Sequence, residues 1–464
     1  MRKFVSRRTF IKLAGGVAAV ASGASLLPGL RGANVFEPSE IRVASAQEQP
    51  PNLFLGGTDG WIYLPPDPPI ITSTFGQVHP DSLAPSPLTT YMFGFRNVTG
   101  MTDVRRSNQK NKAQHNAPLF WVDQFNGSNE FRVQITNLGL QQRPDLFDEH
   151  TLHWHGFRNV IPFFDGEPTG SVSVPTGRIF TYVYRPRDAG TYMYHCHVED
   201  TEHVHMGMTG LVFVRPLQNG TPYTYNARTY TKFAYNDGDG STGYDREYAM
   251  FLSEVWADSH WADAHIQLPE WSDYRADFAL LNGRVYPDTI APTSPLEPLN
   301  PGNLPPFLPV QTDANGDLIA PQPRPTDPPG TNYDHLRYQP HSSLVECNAG
   351  ERILLRFANL GFKEAAMTLA GIRMRVVGKD ATPMRSRDGT DTSYETETLA
   401  FGAGESIDAI FTAPPHSGGS GPDVYMLYNR RYTHSNNLAG GFGGQATEIH
   451  VYPSGIPAQL LPNT

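Results

Sequence analysis

The chain has 464 residues and a formal net charge of −10, with 39% hydrophobic and 18% charged residues. That profile fits a globular protein of two or three domains and argues against a nucleic-acid partner, whose phosphate backbone needs a basic patch. The 41 prolines, 43 glycines, 25 phenylalanines and 21 tyrosines favour strands joined by turns and long loops over a helical bundle.

The first element in chain order is a targeting segment. Ser6-Arg7-Arg8-Thr9-Phe10-Ile11-Lys12 reads as a twin-arginine export motif, followed by an apolar run from Leu13 to Leu30 and a small-x-small site at Ala44-Ser45-Ala46. A membrane anchor that opens on basic residues is the plainer reading, but the paired arginines favour export. Residues 1–46 are therefore expected to be a signal peptide, and the mature protein periplasmic or extracellular. No later stretch is apolar for long enough to span a bilayer.

Residues 47–118 are proline-rich and are expected to wrap the domain that follows. Phe131-Arg132-Val133-Gln134-Ile135-Thr136 and Ile179-Phe180-Thr181-Tyr182-Val183-Tyr184 alternate as half-buried strands do, and Leu211-Val212-Phe213-Val214 reads as a short buried strand. Ile353–Phe357 and Ile407–Phe411 follow the same pattern. Short strands with turns between them predict an all-β protein of sandwich type.

An internal repeat is also visible. Phe131–Gly139 ends in Thr-Asn-Leu-Gly and Ile353–Gly361 in Ala-Asn-Leu-Gly. The run from His150 to Gly156 lines up with Ala365 to Gly371, and Tyr192–His197 with Tyr425–Arg430. Within these runs every His and Cys of the first copy is replaced in the second. The spacing predicts two domains of one fold, 47–220 with metal ligands and 221–464 without. Between the repeats, a proline-dense insertion at about 286–339 is expected to form a surface loop or strap.

The chemistry concentrates in two short stretches. Seven of the 16 histidines fall in His150-Thr-Leu-His153-Trp-His155 and in His195-Cys196-His197-Val-Glu-Asp-Thr-Glu-His203-Val-His205-Met206-Gly-Met208. A thiolate, an imidazole and a thioether in one loop suit copper, which takes a two-His, one-Cys set with a long axial Met. His150 is the candidate for the second imidazole. Alternation in extended chain turns Cys196 one way and His195 and His197 the other. It likewise puts His153 and His155 on one face with Trp154 turned away. A zinc site would have no use for the axial Met. A nucleophilic cysteine would lack an evident Asn or Asp partner and would leave the flanking histidines surplus. Cys347, in Val345-Glu346-Cys347-Asn348, is expected to be a buried apolar residue rather than a disulfide partner of Cys196. His260 and His265, near Trp256 and Trp261, are expected to be surface or core residues rather than the lining of a substrate site, and His434, after the degenerate motif, to be solvated rather than to approach a neighbour's metal.

These segments resemble the multicopper oxidases, including the laccases, and the related two-domain copper nitrite reductases. The resemblance is strong over residues 118–216 and weak over 340–455. It implies two cupredoxin-like Greek-key β-sandwich domains, the second without copper ligands. It implies that His150, Cys196, His203 and Met208 hold a type 1 copper, and that His153, His155, His195 and His197 belong to an oxygen-reducing type 2/type 3 cluster. Asp165, in Phe164-Asp165-Gly166-Glu167-Pro168, matches an acid that aids proton delivery near that cluster. Two departures stand out. The Cys-to-His loop is two residues longer than in most laccases, which makes His205 a rival to His203, although the spacing to Met208 favours His203. A complete cluster in the family uses eight histidines, and the second domain offers none at the aligned places. The other half would come from another copy, so a homo-oligomer is expected, or from another chain, or not at all. The function implied is an exported laccase-like oxidoreductase, taking electrons from a phenol, diphenol or metal ion with dioxygen as acceptor. The alternatives are a nitrite-reductase-like enzyme and a non-catalytic blue-copper electron carrier.

Overall fold

The structure is a computed structural model that describes residues 49–66, 71–158, 160–437 and 441–464. The expected signal peptide therefore lies outside the described residues. Pro51–Thr464 form one compact unit, built almost entirely of strands. No helix among the described residues is long and apolar enough to cross a membrane.

The first half is a sandwich of two four-stranded sheets. One sheet has the order Thr90–Asn97, Leu53–Ile62, Phe131–Gly139, Ile179–Tyr184; the other has Phe120–Asp123, Thr209–Arg215, Gly190–His195, His153–His155. Phe131–Gly139 alternates strictly between buried and half-buried residues, as a strand with one face on the core must. Phe93, Phe120, Phe131, Trp154, Tyr184 and Tyr194 fill the space between the sheets. Trp154 is turned into this core and stacks on Tyr184 at 4.1 Å, so its neighbours His153 and His155 face the other way.

The second half repeats the plan. Phe278–Leu281, Arg246–Val255, Arg352–Asn359, Ser406–Thr412 and Met374–Lys379 form one sheet; Val345–Asn348, Ala446–Tyr452, Asp423–Asn429, Ala365–Leu369 and Thr398–Phe401 form the other. In each half the same two neighbours run parallel: Leu53–Ile62 beside Phe131–Gly139 and Arg246–Val255 beside Arg352–Asn359, then Phe120–Asp123 beside Thr209–Arg215 and Val345–Asn348 beside Ala446–Tyr452. The register also agrees. His153 pairs with His195 in the first half, and Thr368 with Tyr428 in the second. Those are the residues that the sequence repeat places in correspondence. This is the expected pair of cupredoxin-like sandwiches.

Two expectations need correction. The segment 47–118 does not merely wrap the first sandwich, because it supplies two of its strands, Leu53–Ile62 and Thr90–Asn97. Glycines at 56, 57 and 60 break the apolar alternation and hid the first strand. The proline-rich insertion lacks long strands or helices, as expected, but it is not only surface. Leu308, Leu318 and Leu336 are buried, and Leu308 packs with Trp121, Phe213 and Phe251.

The sandwiches are joined through the strand Gly190–His195. Thr191 Oγ1 donates to Asp408 Oδ1 at 2.5 Å, and Ser406 Oγ donates to the Thr191 carbonyl at 2.7 Å. Asp408 also accepts from Tyr235 Oη at 2.6 Å and faces Arg356 at 3.4 Å, while Arg356 and Arg215 share Glu247. Asp408, Arg356 and Glu247 are buried, and Arg215 is half-buried. Burial alone would raise the Glu247 carboxyl, but Arg215 and Arg356 bring it down to about 2. Removing one partner strands the rest without water. Asp408→Ala is expected to cost about 3 kcal/mol, read as a lower denaturant midpoint with an unchanged slope; an unchanged midpoint would show that the network contributes nothing net.

Candidate metal centres

The strand Gly190–His195 ends at the edge of the sandwich, and the extended chain continues through Cys196 and His197. Consecutive side chains therefore enter different sites. Cys196 points inward with His150 and His203, the three ligand atoms lying within 4.8 Å of one another. His195 points the other way with His153 and His155, which form a second such group. The His197 ring lies 5.0 Å from that of His153 and 5.5 Å from that of His195, so it joins the second group.

The first group is dry: His150, Cys196, His203 and Met208 all have 0% exposure. His203 Nδ1 is 3.3 Å from the Cys196 sulfur, and the backbone N–H of Thr151 donates to that sulfur at 3.4 Å. Burial raises the Cys196 thiol, but His203 and His150 facing it carry it well below the usual thiol range. Burial lowers His203, and the Cys196 sulfur together with Asp148 raises it above an ordinary histidine. Each partner thus favours the charged form of the other, a setting in which the sulfur is prepared to meet a soft cation. Among the described residues the His150 ring nitrogens meet no partner other than the Cys196 sulfur they face. Leaving such atoms dry costs about 1–3 kcal/mol each unless something binds them, so this sulfur and nitrogen donor set fits a metal such as copper.

The loop from Cys196 to Met208 holds a feature that the sequence did not announce. Asp200–His205 is a short helix. Two residues along a helix turn a side chain by about 200°, so His203 and His205 face opposite ways. His205 Nε2 accepts the Trp256 N–H at 3.1 Å, and its ring packs against His260, Trp271, Tyr274 and Phe362. Of the two rivals, only His203 faces Cys196. Gly57 was also missed. A Cβ there would lie 2.7 Å from the His150 ring and 3.4 Å from Met208 Cε, so glycine is what lets the strand Leu53–Ile62 pass over the site. The paired glycines at 56 and 57 inside an apolar run were the available signal.

The second group is wetter, with His153 and His155 half-buried and His195 5% exposed. His153 Nδ1 donates to the Asp165 carbonyl at 2.7 Å, and His195 Nδ1 donates to the Cys196 carbonyl at 2.8 Å. A carbonyl only accepts, so both rings carry their proton on Nδ1 and keep a lone pair on Nε2, the arrangement that prepares a histidine to ligate. The Asp165 carboxylate lies 3.6 Å from His153 Nδ1. Burial lowers His153 and His155, and carries His195 down to about 3. These three imidazoles are therefore neutral at pH 7, as metal ligands must be.

The remaining candidates fall away from both groups. His434 is neither solvated nor free to reach a neighbour: it is buried, and its Nε2 lies 2.7 Å from Glu254 Oε1. His260 is buried with Nδ1 on the Tyr91 carbonyl, and His265 stacks on Trp261 and bonds Asp81. Cys347 is buried and unpaired in the second core, and Cys196 is also free, as expected.

Known proteins share this region and this fold. The family model described as Multicopper oxidase matches residues 129–219. Laccase-like multicopper oxidase 1 of Thermothelomyces thermophilus is 37% identical over 91 residues, 18% of this chain and 13% of that protein. Multicopper oxidase aurL2 of Gibberella zeae is 48% identical over 52 residues, 10% of this chain and 9% of that protein. The chain thus matches only a small part of the length of these curated relatives. The structure of the multicopper oxidase mgLAC superposes with a TM-score of 0.52 at 19% identity, covering 87% of each chain, which shows a shared fold.

Two predictions follow from the geometry. Gly57→Val is expected to push the His150 ring aside and lower absorbance near about 600 nm at least tenfold in the copper-loaded protein; an unchanged band would disprove the contact. The second concerns acid. His115, His195 and His341 are lowered to about 3 and His260 to about 4, in each case chiefly by burial. Unfolded, they titrate near about 6.5, so between these values the unfolded chain binds protons that the folded chain refuses. Asp263, raised to about 8 by burial and by Glu202, opposes them, as do Glu202, Asp258 and Asp277, also raised chiefly by burial; but His79, His153, His155 and His205 are lowered too, so eight histidines outweigh four carboxylates. Stability of the metal-free protein is expected to fall steadily from pH 6.5 toward 4, measured as urea midpoints; a flat profile would contradict these shifts.

Proposed function

We propose that this chain, whose residues 129–219 are a multicopper oxidase domain, is an exported laccase-like oxidoreductase that takes electrons at one buried copper centre and delivers them to dioxygen at a second. The observation that carries the reading is that adjacent residues, His195 and Cys196, belong to the two donor groups. In this reading His150, Cys196, His203 and Met208 hold the type 1 copper, and His153, His155, His195 and His197 hold the oxygen-reducing copper site. Bound copper would supply one-electron redox chemistry at the first group and oxygen reduction at the second.

The chain's own residues do the rest. The apolar, fully buried setting of Cys196 excludes water, and the Thr151 N–H steadies its sulfur. The route to the second group is a few covalent bonds, supplemented by the hydrogen bond from His195 Nδ1 to the Cys196 carbonyl. The Asp165 main chain orients His153, while its half-buried carboxyl group relays protons from solvent toward the histidines. The reductant, by this reading, is a phenol, a diphenol or a metal ion. The twin-arginine motif supports a periplasmic or extracellular location. Thr368, Ala370, Tyr428 and Arg430 stand where the second domain would need histidines, so four histidines are half a set, and a homo-oligomer or another chain would complete it.

A nitrite-reductase-like reading needs a histidine from the second half of a neighbour. The aligned Asn429 is fully buried and bonded to Gln445, and His434 is held by Glu254, which argues against it. Copper-loaded protein is expected to contain clearly more than one copper per chain and to consume oxygen with a phenolic or metal-ion donor. His153→Ala is expected to cut that uptake at least a hundredfold while the absorption band near about 600 nm persists. One copper per chain, an intact band and no oxygen uptake would replace this reading with that of an electron carrier.

A further inference from the structure

A cavity of about 330 Å³ lies away from both histidine groups, between the strand Thr90–Asn97 and the proline-rich strap. Strand alternation builds its floor. Tyr91, Phe93 and Phe95 belong to the sandwich core, so Arg96 faces outward beneath the strap. Its side chain has 0% exposure. Nη2 donates to the Gly316 carbonyl at 2.9 Å and Nη1 reaches Gln114 Oε1 at 3.5 Å, while Nε has no partner. Arg105 lines the same cavity. Its Nη2 donates to the Asp313 carbonyl at 3.0 Å, and its buried Nε is also without a partner. Neither guanidinium forms an ion pair among the described residues.

A buried cation without an anion is costly, and proteins pair such groups or leave them for a ligand. Burial draws Arg96 down to about 10, and the more distant Asp317 and Asp313 offset this only in part. Polar Asn97, Gln114, Thr312 and His341 line part of the cavity, and Met101, Phe307, Leu308, Val310 and Leu318 give it an apolar wall. Exposed Glu297 stands at the rim, and what the two guanidiniums lack is a partner for each buried Nε rather than net charge. The volume sits at the small end of ligand pockets, about 300–1,000 Å³.

We propose that this cavity is a binding site for a small organic monocarboxylate, with the carboxylate on Arg96 and Arg105 and the apolar body against Phe307, Leu308 and Leu318. Arginine suits the head group because its planar N–H fork matches a carboxylate's two oxygens. The strap that closes the site is the insertion between the two sandwiches, so the ligand would also pin that insertion to the first sandwich.

Calorimetric titration of the full chain at pH 7 tests this with benzoate and its neutral isostere benzamide. Benzoate is expected to bind once per chain and benzamide at least tenfold more weakly. Arg105→Met is expected to weaken benzoate at least tenfold, and Val310→Trp, which fills the cavity from the strap, to abolish its binding; both leave the copper-binding residues intact. Arg96→Lys keeps the charge but loses the fork, and is expected to weaken benzoate as well. If that variant does not fold, the other two decide. Equal affinity for benzoate and benzamide, binding of inorganic phosphate that benzoate does not compete away, or full affinity in Arg105→Met would each overturn the proposal.

Discussion

The constraint on which the rest depends is the peptide bond between His195 and Cys196. An extended chain throws successive side chains to opposite sides, so one covalent step separates a dry sulfur site from a wetter histidine site. The hydrogen bond from His195 Nδ1 to the Cys196 carbonyl fixes the ring on one side. The Thr151 N–H and the His203 ring fix the sulfur on the other. Neither group tolerates slippage: a shift of one residue would exchange the two faces. The directly opposed pair His153 and His195 shows the register being held where the chemistry needs it.

The second sandwich preserves the frame of such a site after losing its ligands. The Cys196 N–H donates to the Met208 carbonyl, and the Asn429 N–H to the Gln445 carbonyl. The Met208 N–H donates to the His203 carbonyl, and the Gln445 N–H to the His434 carbonyl. The Thr151 N–H that reaches the Cys196 sulfur has its counterpart in the Ala366 N–H donating to Asn429 Oδ1 at 3.1 Å. Cys196, His203 and Met208 thus correspond to Asn429, His434 and Gln445. The buried polar groups that remain are satisfied internally: Asn429 Nδ2 donates to Gln445 Oε1 at 2.8 Å, and His434 pairs with Glu254. A polar knot stands where the first sandwich has its sulfur and nitrogen donors, on the same backbone hydrogen bonds.

The second sandwich nevertheless supports the donor groups of the first. The strand ending at His195 is clamped by Asp408 and Ser406 through Thr191, and a Cβ on Gly190 would lie 2.6 Å from Ala381 Cα, so the backbones are in close contact there. His155 rests against Gly404, where an added Cβ would sit 3.2 Å from its Nε2. Burying Arg356, Glu247 and Asp408 together is tolerable only because each meets the others. This ties the position of the histidine face to the integrity of the second sandwich.

Much of this was legible in the sequence. Strict alternation at Phe131–Thr136 marked a strand, the tight His/Cys/Met spacing marked a soft-metal site, and the shared Asn-Leu-Gly turns marked the repeat, because each is a local pattern imposed by backbone geometry. The strand Leu53–Ile62 was not legible, since its glycines serve close approaches, Gly57 to His150, Gly56 to Leu138 and Gly60 to Ala113, and carry no alternation. Only the tertiary structure decided between His203 and His205. That choice depends on a one-and-a-half-turn helix and on the aromatic cluster that captures His205, and sequence spacing encodes neither. The unpartnered Nε of Arg96 beneath the strap was equally invisible, because what meets a side chain is a property of what surrounds it in space. Sequence by itself determined the donor chemistry and the sandwich periodicity, which are local; packing decided which donors meet, because that requires segments more than forty residues apart, such as His150 and Cys196, to be brought within reach of one metal ion.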